Sequence, residues 1–233
     1  GTCGLEASAG EFLLDRFYLN LKKNALSLRF RGTAHPGHRA VDIGSLEAVV
    51  SGLLSAKASG RIQGAPGGVR GTLSASIPEF SLAPAFRQFV AEPFRMQSPW
   101  LQNLTVEGEA SCECEVSVEG PGTALLGKIR VKKGAVSSED ASFAIEGIDL
   151  MLPLAYREGM PPEPVKPPQA GRFAIRSMIV PLLPEQTLDI RLEARPNRLR
   201  AHGPVRIRIP GGDLLLDTIQ LAYEAEQGIR AET

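Results

Sequence analysis

The most regular part of the chain is a run of alternating apolar and polar positions from Leu104 to Glu119. Its even-numbered positions are apolar or small, and its odd-numbered positions are polar and include five glutamates. A period of two places successive side chains on opposite faces of a strand, whereas a helix would distribute the glutamates around its axis. The pattern predicts one long strand with an apolar face and an acidic face.

The alternation resumes with the opposite charge after the turn residues 120–122, which read Gly-Pro-Gly. Here the polar positions are Lys128, Arg130 and Lys132. Opposite charges that face each other across an antiparallel pair stabilise it by roughly 0.2–1 kcal/mol each. We therefore predict a long hairpin whose register is specified both by charge and by the apolar face.

The same pattern recurs along most of the chain, with Gly/Pro-rich turns between the runs, at 26–32, 54–62, 69–77, 143–154, 173–175, 188–192, 205–209 and 219–223. Gly147 marks a change of phase within one run, as expected of a β-bulge. Residues 45–54 fit either a helix or a strand. We predict an all-β fold: an elongated, curved, mainly antiparallel sheet, shaped as a groove or half-barrel.

One segment has helical spacing instead. Between 84 and 92, Phe86, Phe89 and Val90 recur at i, i+3 and i+4, and Pro84 suits a first helical turn. We predict one short amphipathic helix there, and expect its apolar side to cap the groove.

A proline-rich stretch at 158–171 is the internal boundary that the composition indicates. It predicts a linker or long loop between a main β-groove section, 1–157, and further strands, 172–233, that continue the same sheet.

The shape of the sheet follows from what must cover its apolar face. A second sheet is one answer, but aromatic residues are only 6% of the chain, so the bulky side chains of a dense sandwich core are scarce. We favour an open trough, and a second protein layer stays as the alternative. The residues expected to line the trough are Leu104, Val106, Gly108, Ala110, Cys112, Cys114, Val116, Val118, Leu125, Ile129, Val131, Ile148, Leu150 and Leu152.

The charge composition indicates which classes of partner the chain can bind. Lys plus Arg and Asp plus Glu are both 26, so the formal net charge is zero and we expect no nucleic-acid partner. The chain contains no run of 18 apolar residues, so we expect no membrane-spanning helix within it. It does not begin with Met, which suggests a trimmed segment preceded by a signal or membrane anchor. If the chain is a fragment, its exposed edge strands would favour self-association.

The cysteines leave two interpretations open. Cys112 and Cys114 lie on the same side of one strand, where they are best read as small buried apolar residues, because such neighbours rarely meet disulfide geometry. A disulfide from Cys3 to one of them is the alternative. A metal site is disfavoured because no second pair of ligands accompanies them.

No motif supports catalysis. The stretch 122–128 resembles the start of a phosphate-binding loop, but Ile129 stands where Ser or Thr is needed and a strand follows. His35 and His38 flank a tight turn without further ligands nearby, and no G-x-S-x-G motif occurs. We expect no enzymatic activity, cofactor or metal.

Several phrases of the chain resemble the AsmA, TamB and YdbH group of bacterial envelope proteins. They are 50–60 (VSGLLSAKASG), 68–73 (GVRGTL), 127–136 (GKIRVKKGAV) and 145–148 (IEGI). Members of that group are extended β-grooves with an apolar inner face, implicated in moving or holding phospholipids between membranes. The resemblance implies a periplasmic or cell-envelope location, and a longer protein with an N-terminal anchor.

Together these patterns predict a non-enzymatic envelope module that binds or conducts lipid-like molecules along an apolar groove. The alternative is a structural or interaction β-scaffold without a small-molecule ligand. Arginines are frequent between 191 and 208, and Arg206 and Arg208 are the candidates for contacting a lipid headgroup, since guanidinium groups suit phosphate. The other interpretation of these arginines is a cationic strand pair that faces an acidic one.

Overall fold

The computed structural model describes residues 1–9, 11–14, 17–20, 23–66, 68–140, 142–160, 169–224 and 228–232. Strands account for most of this chain. In order they are β1 (Thr2–Ala7), β2 (Glu11–Leu14), β3 (Phe17–Asn20), β4 (Leu26–His35), β5 (Ala40–Val50), β6 (Leu54–Ala65), β7 (Gly68–Ser81), β8 (Leu104–Glu119), β9 (Gly122–Ser138), β10 (Ala144–Glu158), β11 (Gln169–Ile179), β12 (Gln186–Arg195), β13 (Arg198–Ile209), β14 (Gly212–Glu224) and β15 (Gly228–Glu232).

Thirteen of these strands form one antiparallel sheet. β1 pairs with β4, and from β4 to β15 every strand pairs with its neighbours along the chain, while β2 and β3 form a separate hairpin. The sheet is not closed, so β1 and β15 are its two edges. The predicted all-β fold with an elongated, curved, antiparallel sheet is confirmed.

Because the strands run up and down in sequence, their connections collect at two ends of the sheet. The helix end carries the connections at 51–53, 82–103, 139–143, 180–185 and 210–211. The turn end carries those at 36–39, 66–67, 120–121 and 196–197.

The long hairpin of β8 and β9 has the predicted register. Glu113 lies opposite Lys128, with 2.9 Å between the carboxylate Oε2 and the ammonium Nζ, and the hydrogen bond from Lys128 lowers the pKa of Glu113. Lys132 lies opposite Glu109 but donates to Glu79 of β7 at 2.7 Å. The charges therefore join three neighbouring strands rather than one pair.

Bulges interrupt the register of several strands. Gly147 adopts φ +64°, and a Cβ there would lie 2.6 Å from the Cβ of Arg176, so the predicted bulge requires glycine. A second bulge at 44–45 moves the apolar positions of β5 from Ile43 to Leu46. Residues 45–54 also fitted a helix because Val49, an apolar residue, lies on the polar face next to Val50, where it is exposed. The structure shows strand up to Val50.

The one helix follows β7 and lies at the helix end. It consists of an α-helical turn, α1 (Leu82–Phe86), continued by a π-helical turn over Arg87–Ala91. Phe89 packs against Val50 at the end of β5, in a cluster that includes Ala7, Leu26 and Leu53.

The buried side of this helix differs from the predicted one. Ala85, Gln88 and Ala91 are buried, Phe86 is half-buried, and Val90, predicted as part of the cap, is exposed. Gln88 is held in place by Asn24, whose Nδ2 donates to the Gln88 Oε1 at 3.1 Å.

Most of the predicted proline-rich linker, 161–168, lies outside the described residues. On either side of it, β10 and β11 pair with each other over Ala144–Met151 and Arg172–Ile179. Strands that precede and follow the linker therefore belong to the same sheet.

The sheet bends most sharply from β10 to β13, which we call the curled section. Cα atoms of β10 and β12 approach within 8 Å although β11 lies between them, whereas two spacings in a flat sheet come to about 9.6 Å. Asn197, in the β12–β13 turn, bonds directly to β10: its Nδ2 donates to the Arg157 carbonyl at 2.7 Å and its Oδ1 accepts from the Arg157 N–H at 2.8 Å.

Strands β4 to β9 form what we call the open section. Among its described residues no two alternate strands approach each other as extensively as β10 and β12 do, and the described link across β8 is the ion pair between Lys132 and Glu79. The whole chain exposes 15142 Å². A compact globular protein of 25.0 kDa would expose about 10,000 Å². The excess, roughly half as much again, is what a single uncovered layer produces.

Candidate apolar binding face

One face of the sheet is apolar across its width, because each apolar position lies opposite another on the next strand. Cys3, Phe30, Leu46, Ala58, Ala75, Cys114, Gly127 and Leu154 form one such row across eight strands. Phe80, Ala110, Val131, Leu150, Phe173 and Ile190 form a second row, which enters the curled section. We call this surface the apolar face and the other the polar face.

Small residues lower the floor of the apolar face in its middle. Ala58, Ala75, Cys114 and Gly127 are adjacent on β6 to β9. Gly127 has no space for a side chain, because a Cβ would lie 2.5 Å from the carbonyl oxygen of Glu113. The row on the turn side of these residues carries Leu73, Val116 and Leu125, so the small residues form a shallow lane beside a larger aliphatic wall.

The register places all fourteen predicted lining residues on the apolar face. On β8 they are Leu104, Val106, Gly108, Ala110, Cys112, Cys114, Val116 and Val118, on β9 Leu125, Ile129 and Val131, and on β10 Ile148, Leu150 and Leu152. Ala110 is buried and the others are half-buried. Gly108 sits at a bulge with φ +113°, opposite Gly134.

The prediction omitted the apolar residues of the other strands. Those of β4 to β7 extend the face toward β1, and those of β11 to β13 close it inward. Ile175, Ile190 and Ala194, all on the apolar face, are buried there. The same alternation that marked β8 was present in these strands and would have identified them.

A buried glutamine fixes the curled section at the helix end. The Gln186 Nε2 donates to the Arg208 carbonyl at 2.8 Å, and its Oε1 accepts from the Arg208 N–H at 2.8 Å. Because both amide groups are satisfied, burying this side chain carries little cost.

Arg206 lies opposite Leu215 on β14, and Arg208 lies opposite Asp213. A headgroup contact by either arginine stays a prediction. The Arg206 Nε lies 3.7 Å from the Asp213 Oδ2. This ion pair agrees with the other interpretation, in which a cationic strand faces an acidic one.

All three cysteines are free. Cys3 is exposed on β1, and four strands separate β1 from β8, so a disulfide to Cys112 or Cys114 does not form. Burial raises the pKa of the Cys112 thiol, and the neighbouring Cys114 adds to this effect. Both cysteines are half-buried on the apolar face.

A cleft of about 650 Å³ is lined mostly by residues of the polar face, together with Ala58, Ala75, Cys114 and Gly127 of the lane. Its walls include Lys57, Ser59, Ser74, Glu113 and Lys128. The lysines are already paired, Lys57 with Glu47 at 3.5 Å and Lys128 with Glu113 at 2.9 Å, so no uncompensated charge is directed into the cleft.

The side chains that could take part in phosphate binding, catalysis or metal binding lie apart from one another among the described residues. Residues 122–128 begin β9 and lead into strand, not helix. The His35 Nε2 lies 2.8 Å from the Asp42 Oδ2, and the other oxygen of the same carboxylate pairs with Arg61. No cluster of three metal-binding side chains occurs within the described residues. None of the helices described there is long and apolar enough to cross a membrane.

Comparison with known proteins adds no assignment. No protein-family model, no curated protein and no solved structure matches the chain.

Proposed function

We propose that the chain is a non-enzymatic module that binds a long apolar molecule, of the acyl-chain type, along the apolar face of the open section. The observation that carries this proposal is the continuity of that face over β1 and β4 to β9, without a covering layer among the described residues. An exposed aliphatic surface of this extent is costly in water and is typical of binding surfaces.

The chemistry of the face favours an apolar ligand without a specific polar group. In the row from Phe30 to Gly127 the facing residues are Leu46, Ala58, Ala75 and Cys114, and none of these side chains carries a charge. Each methylene of a ligand that leaves water contributes about 0.8 kcal/mol. A dozen methylenes would therefore be enough for binding without any hydrogen bond.

The lane of small residues supports a narrow ligand. It crosses β6 to β9, so it spans about 14 Å at the usual spacing between strands, and it continues toward Leu46 on one side and Leu154 on the other. A hydrocarbon chain needs a shallow, elongated floor, whereas a globular protein partner needs a broad one. On the strength of the resemblance to envelope proteins, we place this activity in the bacterial cell envelope, with a lipid as the ligand.

The experiment is a titration with a fluorescent fatty acid, alongside native mass spectrometry of the purified chain. The variant Ala75→Glu places a charge in the middle of the lane. Because the carboxylate would have to be buried under the ligand, we expect the affinity to fall at least about ten-fold. Ser76→Glu is the matched control, since Ser76 is the next residue on the polar face, opposite Lys57 and Glu113.

The outcomes separate the two function classes. Co-purified lipid, and weakening by Ala75→Glu but not by Ser76→Glu, support the groove. A chain without lipid that binds no fatty acid, and that forms a dimer which Ala75→Glu dissociates, would assign the face to a protein scaffold and overturn the proposal.

A further inference from the structure

The two ends of the sheet differ in the apolar side chains that they expose. Leu182 is 92% exposed, Met96 85% and Trp100 61%, and all three lie in connections at the helix end. Ile179, the last residue of β11, is also more than half exposed. The three most exposed large apolar side chains described therefore all lie at this end.

The turn end has no comparable residues. Its described connections consist of proline, glycine, histidine, arginine and asparagine, together with Met160 after β10, which is half-buried. Val69, 43% exposed at the start of β7, is the most exposed large apolar side chain there. The difference is therefore a property of one end and not of the connections in general.

The exposed residues are spaced along the helix end rather than packed together. Trp100 precedes β8 and Leu182 follows β11, which is three strands away in the sheet. A protein partner is bound through one compact, contiguous cluster. Separate connections that each expose an apolar side chain are better suited to insertion into a soft, continuous apolar phase such as a lipid bilayer.

The charges around these connections are mixed. Arg95 and Arg208 are exposed near the helix end and form no ion pair with a described residue, while Glu139, Asp140 and Glu185 occupy neighbouring connections. Guanidinium groups close to inserted side chains suit lipid phosphates. With acids also present, attraction to anionic lipid is not the main driving force.

We propose that the helix end docks on the surface of a phospholipid bilayer by shallow insertion of Met96, Trp100 and Leu182. Tryptophan and leucine are the side chains that occupy the boundary between headgroups and acyl chains. The docking goes beyond the proposed groove function and does not depend on it, because it uses the connections and not the apolar face.

The chain carries its own probe, since Trp100 is its single tryptophan. We expect vesicles of phosphatidylcholine alone to shift the Trp100 emission to shorter wavelength, and brominated phosphatidylcholine to quench it. Adding phosphatidylglycerol to the vesicles should strengthen binding only slightly. Emission that is unchanged by either vesicle would overturn the proposal.

The matched variants are Leu182→Asp at the helix end and Val69→Asp at the turn end. Because a charged side chain replaces an inserted leucine, L182D should lower the partition coefficient about ten-fold, and V69D should leave it unchanged. Equal effects of the two variants would contradict docking by one end. A dimer in solution that L182D dissociates, with no vesicle binding by the parent chain, would assign these connections to a protein interface instead.

Discussion

The open and curled sections are built from the same alternating strands, yet they use their apolar residues differently. In the curled section Ile175 and Ile190 are buried because β10 and β12 approach each other across β11. In the open section Leu46, on the same face, is 38% exposed. The difference teaches that alternation determines which face is apolar, but that the bending of the sheet determines whether that face is covered.

Side-chain size contributes to this difference. The lane of the open section consists of Ala58, Ala75, Cys114 and Gly127, which leave little for a neighbouring strand to pack against. The curled section places Phe173, Ile175 and Ile190 on adjacent strands, and these larger groups fill the concave side when the sheet bends. One section is thus stabilised by its own side chains, whereas the other keeps its surface available.

The largest effect should come from truncating the curled core. We expect Ile175→Ala to lower the free energy of unfolding by about 2–4 kcal/mol, because Ile175 is 4% exposed and its removal leaves a cavity. Leu46→Ala, in the open section, should cost within about 1 kcal/mol. Urea denaturation of both variants measures the difference, and equal losses would show that the two sections are covered alike.

Breaking the link between the β12–β13 turn and β10 should have an intermediate effect. Glycine at position 197 can adopt the observed φ of +60°, but Asn197→Gly removes both side-chain hydrogen bonds to the Arg157 backbone. We therefore expect the free energy of unfolding, measured by heat or urea, to fall by about 1–3 kcal/mol. Asn197→Asp keeps the acceptor and should fall between the parent and N197G. If N197G is as stable as the parent, the curl does not depend on this turn.

Thiol labelling tests whether the open section is open. Under native conditions Cys3 should react with a maleimide first, and Cys112 and Cys114 more slowly but without unfolding, because burial raises the pKa of Cys112 and lowers its thiolate fraction. A cysteine introduced by Ile190→Cys should react only as the chain unfolds. Protection of Cys112 and Cys114 until unfolding would indicate a covering layer.

The smallest effect concerns the turn that joins the two sections. Hydrogen bonds from Ser138 and Ser142 lower the pKa of Asp140 to about 2, below its ordinary value of 3.8. Since the folded-state pKa is the lower one, the carboxylate stabilises the fold above about pH 4, and this contribution disappears as the pH falls toward 2. The difference in melting temperature between the parent and Asp140→Asn should narrow over that interval; a constant difference would contradict the assignment.

Much of this architecture could be predicted from the sequence, because alternation is a local signal. The strand from Leu104 to Glu119, its hairpin with β9 and the bulge at Gly147 all follow from the pattern. The faces of Arg206 and Arg208 are harder to predict, because an irregularity between His202 and Val205 shifts the phase of β13 relative to β14.

The remaining features depend on contacts between distant parts of the chain. The curl requires Asn197 to meet Arg157, 40 positions earlier, and no local pattern specifies that meeting. The helix was predicted close to its observed position, but its buried side was not. Ala85, Gln88 and Ala91 face inward because the helix continues as a π-helical turn, and this shifts the angular spacing on which the prediction relied.

The strictly sequential pairing from β4 to β15 has a consequence for how such a chain can change length. Between β5 and β15 the backbone of each strand pairs only with the strands next to it in sequence, so most of its contacts are with immediate neighbours, as in a repeat protein. A hairpin inserted or deleted at a connection would return the chain to the same end and leave the strands on either side with partners of the same orientation. The molecule can therefore be lengthened or shortened two strands at a time, and its width is a variable that duplication can adjust without redesigning the parts already present.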